Sequence, residues 1–182
     1  MKLEPETCCC RYYPDEQSAR LLARKVFTKH NCNCPVDVKD LVYSLGIDIV
    51  YADPPFPNKV LGAFISLKEE YGKGLIILQP NIMPERERFT IAHELYHALI
   101  RPNLSFFSSD QQALKVHERE ANIFASELLM PKSKVLSVYD SGCRTISSFA
   151  EIFWVSRHAM RIRLQEVGLG FLVEKRGNFG EN

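Results

Sequence analysis

Pro84-Glu85-Arg86-Glu87-Arg88-Phe89-Thr90-Ile91-Ala92-His93-Glu94-Leu95-Tyr96-His97-Ala98-Leu99-Ile100 dictates the fold around it. Pro84 suits the first helical position, and Glu85 and Glu87 sit well in a first turn whose N–H groups point outward. Pro102 restricts Arg101, so the helix should stop near Ile100. Phe89, Ile91, Ala92, Leu95, Tyr96, Ala98, Leu99 and Ile100 make it apolar nearly all round, which predicts a buried helix. Inside it lie His93, Glu94 and His97. Residues four apart share a helix face, so the two histidines can reach one metal ion. Glu94 lies about 100° round from His93 and can address a water beside that ion without being a ligand. With 5 histidines in the chain, this pattern arises by chance in about one comparable sequence in a hundred. Buried and unsatisfied, the three groups would be costly; a divalent cation removes that cost.

A catalytic metal of this kind takes three protein ligands and keeps one position open. The third is expected on a facing helix, predicted over 112–130 and ended by Pro131. Its apolar stripe is Ala121, Phe124, Ala125, Leu128 and Leu129. Glu118 borders that stripe and shares a face with Asn122, whereas Glu120 falls near Glu127 on the side expected to meet solvent. Glu118 is therefore preferred as the ligand over Glu120 and His117. Asn122 is placed to hydrogen-bond a ligand histidine.

Outward from these two helices the periodicity changes. Ala19, Leu22, Ala23, Val26 and Phe27 predict an amphipathic helix over 15–30, and Pro35 is expected to open a second one that Gly46 stops. Residues 47–51 alternate as a strand. Pro54-Pro55-Phe56-Pro57 makes a loop, and strands over 60–67 and 74–78 are joined by a polar, glycine-bearing link at 68–73 that fits a hairpin. A serine-rich loop is expected over 103–110. Short helices are expected over 132–139, 145–153 and 156–167, with Phe171-Leu172-Val173 as a possible edge strand. The class is α+β: a small, mostly antiparallel sheet packed against helices.

Composition sets the bounds. At 182 residues with 46% hydrophobic and 25% charged, the chain can bury a core without disulfides. A net charge of +1 supplies no global field toward nucleic acid or an acidic membrane. No apolar run approaches the ~20 residues that cross a bilayer, and the first residues do not form a signal peptide. The expected location is the cytoplasm, where Cys8, Cys9, Cys10, Cys32, Cys34 and Cys143 would be free thiols; their spacing fits no standard metal pairing, and no role is assigned to them.

The quoted helix motif, followed by Glu118-x-x-Ala121-Asn122-x-Phe124-Ala125-x-x-Leu128-Leu129-Met130-Pro131, resembles the ImmA/IrrE family of metallo-endopeptidases, and the likeness runs from about Pro35 to Leu169. Phe153-Trp154-Val155-Ser156-x-x-Ala159-Met160-x-x-Arg163-Leu164 is similar to that family too. The resemblance implies a zincin-like, gluzincin-type HExxH core with His93, His97 and Glu118 as ligands and Glu94 as general base. It implies Zn2+, although Mn2+ or Fe2+ would suit the same donors. It also implies a protein substrate: several members, from bacteria, phages and mobile elements, cut helix-turn-helix repressors and so act as anti-repressors. The peptide would lie along an exposed sheet edge, the 60–67 strand being preferred. An oxyanion donor is expected among Tyr96, His117, Tyr139 and Arg163. Three segments follow: 1–34, a cysteine-bearing stretch and helix; 35–140, the peptidase core; and 141–182, a helical segment packed on it.

A different class competes. Residues 146–169 read as helix, Val155-Ser156 turn, helix, and the second helix carries Arg157, His158, Arg161 and Arg163, like a DNA-reading helix-turn-helix. Against this, Ile152, Phe153, Met160, Ile162 and Leu164 are expected in a core, and the chain has almost no excess positive charge. Direct nucleic-acid binding is disfavoured. A non-proteolytic anti-repressor is the remaining alternative.

Overall fold

A computed structural model of the chain describes residues 14–56, 60–67, 74–100 and 111–174. Cys8, Cys9 and Cys10, the 68–73 link and the 103–110 loop lie outside the described residues. The elements run α1 (Glu16–Lys29), α2 (Val38–Ser44), β1 (Ile47–Tyr51), β2 (Gly62–Ser66), β3 (Gly74–Leu78), α3 (Pro84–Ile100), α4 (Gln111–Leu129), α5 (Lys132–Asp140), α6 (Ile146–Phe153), α7 (Arg157–Glu166) and α8 (Phe171–Glu174).

Local chemistry sets the helix ends. Asp15 caps α1 by accepting from the Ser18 N–H, and Asp37 caps α2 by accepting from the Asp40 N–H. That cap starts α2 at Val38, three residues after Pro35, which was expected to open it. Thr145 and Ser156 cap α6 and α7 in the same way.

The α+β class holds, with a mixed sheet of order β1-β3-β2 in place of the mostly antiparallel one expected. β2 and β3 pair antiparallel, as a hairpin would. β3 then inserts between β1 and β2, and the β1–β3 pair is parallel. β1 does not pair with β2, the strand that follows it. β2 is thereby left at one edge. Phe171-Leu172-Val173 forms the short α8 and adds no strand: Leu172 and Val173 N–H groups bond back to the Leu169 and Gly170 carbonyls, satisfying locally what a sheet edge would have satisfied.

The helix α3 packs on the sheet face through β2 and β3, α4 packs on α3, and α1 packs on the far side of α4. Ile76, Leu78, Ile91, Leu95, Phe124, Leu128 and Phe153 are all fully buried in one continuous core. The position of α1 corrects an expectation. Glu120 and Glu127 face α1 rather than water and are 6% and 2% exposed. Glu120 accepts from the Asp15 N–H at 2.7 Å, and Glu127 from Arg24 Nε at 2.8 Å and from the buried Arg163.

Arg88 ties α3 to the α6–α7 turn. Its Nε donates to the Trp154 carbonyl at 3.1 Å and its guanidinium lies 4.5 Å from the Trp154 ring centre. Trp154 adopts φ 49°, a left-handed conformation disfavoured for a bulky residue, and these contacts hold it there.

Candidate metal centre

The spacing of four brings His93 and His97 to one face of α3, and α4 crosses that face with Glu118. His93 Nε2 and His97 Nε2 are 3.2 Å apart; Glu118 Oε2 is 3.2 Å from the first and Glu118 Oε1 3.4 Å from the second. Bonds of about 2.0–2.1 Å at tetrahedral angles put neighbouring ligand atoms about 3.3 Å apart. The two imidazole nitrogens are spaced as two ligands of one such ion would be, and Glu118 turns one carboxylate oxygen to each of them, so the donors suit a divalent ion in number and type. Among the described residues this is the cluster suited to a metal.

Asn122, one turn beyond Glu118, accepts from His93 Nδ1–H at 3.0 Å. That bond places the proton on Nδ1 and leaves the Nε2 lone pair facing the cluster. The Glu118 side chain stays 56% exposed, so one flank of the site is open.

Glu94 is turned toward the sheet and buried. Its carboxylate is hydrogen-bonded by the Phe64 backbone of β2. A Cβ on Gly62 would lie 2.6 Å from Thr90 Cγ2 and 3.3 Å from Glu94 Cγ, so the strand approaches the helix this closely only with glycine there. Burial raises the Glu94 pKa, and the neighbouring histidines offset part of the rise. Burial pulls His93 down, but hydrogen bonding and charge from Glu118 win and raise it. Glu118 is driven well below the usual carboxylate range, first by its hydrogen bonds to His93 and His97.

The cleft over this cluster holds about 600 Å³ and is lined by Val60 to Phe64 of the β2 segment, by α3 through Arg86, Phe89, Thr90 and the motif residues, and by Leu114, Glu118 and Asn122 of α4. None of the four expected oxyanion donors is among the described residues lining it. Tyr96 donates its hydroxyl to Glu120 at 2.8 Å, and His117 Nδ1 lies 3.2 Å from the same carboxylate, so both are drawn toward α1. Tyr139 stacks edge-on against Phe171 at 6.0 Å between ring centres. Arg163 is buried, donating to the Met130 carbonyl at 2.9 Å and to Glu127 and Glu166. Arg86 is the cation lining the cleft, and residue-level reading passed over it. The signal was there: 86, 90, 93 and 97 recur at helical spacing on one face.

The family model for the IrrE N-terminal-like domain, peptidase M78, matches residues 43–165, about two thirds of the chain. The chain belongs to the IrrE N-terminal-like family. No curated protein sequence matches it. Among solved structures, a Mycobacterium tuberculosis transcriptional regulator is similar with a TM-score of 0.60 at 18% identity, over 82% of this chain and 46% of that one. That likeness concerns the fold, and this IrrE N-terminal-like chain spans under half the length of that regulator. The family match ends at residue 165 and begins at 43, so α1, which covers Glu120 and Glu127, lies outside it.

Proposed function

We propose that this chain is a cytoplasmic metal-dependent endopeptidase that cuts a regulatory protein, a helix-turn-helix repressor being the preferred substrate. The observation that carries the reading is the set of three ligand-atom separations of 3.2–3.4 Å with the buried Glu94 beside it. His93, His97 and Glu118 would hold the ion, with zinc favoured by the two-imidazole, one-carboxylate donor set. When bound, such an ion supplies a Lewis acid that acidifies water and polarises a carbonyl.

The chain's own groups do the rest. Glu94, buried and next in sequence to the ligand His93, is placed to take a water proton and pass it to the leaving amide nitrogen. The Phe64 backbone fixes the carboxylate, so this proton moves through one geometry. β2 lies at the sheet edge. Along an antiparallel edge strand, backbone groups face the partner and the open side alternately. Leu61 accepts from the Gln79 N–H on the β3 side, so Gly62 and the Phe64 carbonyl turn to the open side. A substrate in extended form can add there as a further strand, above the metal cluster.

The test combines metal analysis with cut-site mapping. Purified wild-type and Glu94→Gln proteins, both loaded with Zn2+, are incubated with proteome-derived peptides and with repressors encoded beside the gene. The expected result is equal metal content, discrete cuts by wild type, and a loss of at least about 10²–10⁴-fold in the variant. Equal products from both proteins would sink the proposal. Derepression in cells retained by Glu94→Gln would favour the non-proteolytic anti-repressor.

A further inference from the structure

A groove of about 1280 Å³ runs from the metal cleft between α3, α4 and the α6–α7 turn. Arg86, Phe89 and Asn122 line both spaces, so cleft and groove adjoin, and Asn122 is also the residue that orients His93. The groove is far too long for a single side-chain pocket. Three large apolar side chains from separate elements stand exposed in it: Met83 at 68% before α3, Trp154 at 48% in the α6–α7 turn, and Ile162 at 45% on α7. Isolated exposed apolar residues are ordinary, but three gathered around one concavity mark a binding surface. Its charges nearly cancel: Glu16, Glu85, Glu151 and Glu166 exceed Arg86, Arg119 and Arg157 by one, so net charge does not select the occupant.

We propose that this groove is a remote subsite for the polypeptide being cut, taking an apolar segment next to the scissile region. The nature of the occupant rests on the peptidase reading; the groove itself does not. Adjacency decides the choice. A chain lying across the metal cluster meets the groove next, past Arg86 and Phe89, which line both spaces. Trp154 is held as one side of it by Arg88, through the carbonyl bond and ring stacking described above, so this apolar surface exists before any ligand arrives. Remote contacts of this kind give an endopeptidase selectivity among proteins whose bonds at the cut site are chemically alike. Arg86, at the junction, is placed to meet backbone carbonyls or an acidic side chain.

Trp154 is the single tryptophan of the chain, so its emission reports on this groove alone. A displayed library of random twelve-residue peptides is selected on Zn2+-loaded Glu94→Gln protein, and the enriched peptide is synthesised. The expected result is an enriched motif of spaced apolar residues that shifts Trp154 emission to the blue. Ile162→Glu and Met83→Glu, at exposed positions where folding is not at risk, should each weaken binding at least about tenfold. Wild type should also lose selectivity for peptides carrying the motif when Ile162→Glu is introduced, while its cutting of motif-free peptides stays the same. Binding that leaves Trp154 emission unchanged, or that both variants retain, overturns the groove. Peptides that bind and shift Trp154 but are never cut by wild type leave the groove standing and remove the peptidase reading.

Discussion

Glu118 and Glu120 sit two residues apart on one helix and have opposite fates. Glu118 is swung toward α3 and bridges His93 and His97; Glu120 is swung toward α1 and takes Tyr96, His117 and the Asp15 N–H. A rotation of about 200° between them puts the two on different faces. Glu118→Ala should therefore remove the bound ion, whereas Glu120→Ala should keep the ion and lose stability, because it removes the acceptor shared by the buried Tyr96 hydroxyl, the half-buried His117 and the Asp15 N–H. Elemental analysis and thermal melts separate the two effects; full metal occupancy in Glu118→Ala would contradict the ligand choice. Asn122→Ala removes only the acceptor that orients His93 and should weaken metal affinity about 10–100-fold, measured by chelator competition.

The buried pair between α4 and α7 belongs to the scale of elements. Arg163 and Glu127 are both almost fully buried, and Arg24 of α1 shares the same carboxylate. Burial pushes Glu127 upward, but the Arg24 hydrogen bond and the Arg163 charge outweigh it, and the pKa is lowered. A carboxylate depressed on folding contributes stability above its unfolded value, and that contribution is lost as pH falls through the folded value. Stability should thus drop below about pH 4.5, and Glu127→Gln should flatten that drop in chemical denaturation at several pH values. Arg163→Ala leaves Glu127 buried with one partner fewer and should cost about 3–5 kcal/mol. The same helix carries Arg157 and Arg161 exposed. They are assigned here to protein contact, not to DNA. Duplex binding across a salt series should be weak, with no loss in an Arg157→Ala/Arg161→Ala protein; tight, sequence-selective binding that this variant abolishes would reverse the assignment.

Across the whole molecule, α1 lies wholly outside the family match, yet the tertiary structure leans on it. Removing residues 1–34 would expose Glu120 and Glu127 and strip the apolar cover from one side of α4. We expect that truncation to melt well below the full chain even with metal bound, in differential scanning calorimetry with Zn2+ in excess. An unchanged melting temperature would make 1–34 a dispensable segment. Cys32 and Cys34, just after α1, are free and half-buried, and burial raises both thiols.

What could be read from residues alone was whatever is carried within one element. The i, i+4 histidines, the neighbouring glutamate, and the apolar stripes of α1 and α4 are all local. Helix geometry places each without reference to the rest of the chain. The preference for Glu118 over Glu120 also came from position on a single helix. Tertiary structure alone decided what required knowing which face met which neighbour. Glu127 was expected in water because nothing within α4 announces that α1 lies over it. Arg163 was a candidate in the cleft because a cationic residue carries no sign of the carboxylate that will claim it. The parallel β1–β3 pair depended on strand order, and the fixing of Glu94 depended on a backbone N–H from a strand thirty residues away. Long-range packing selects among faces that local pattern can only define.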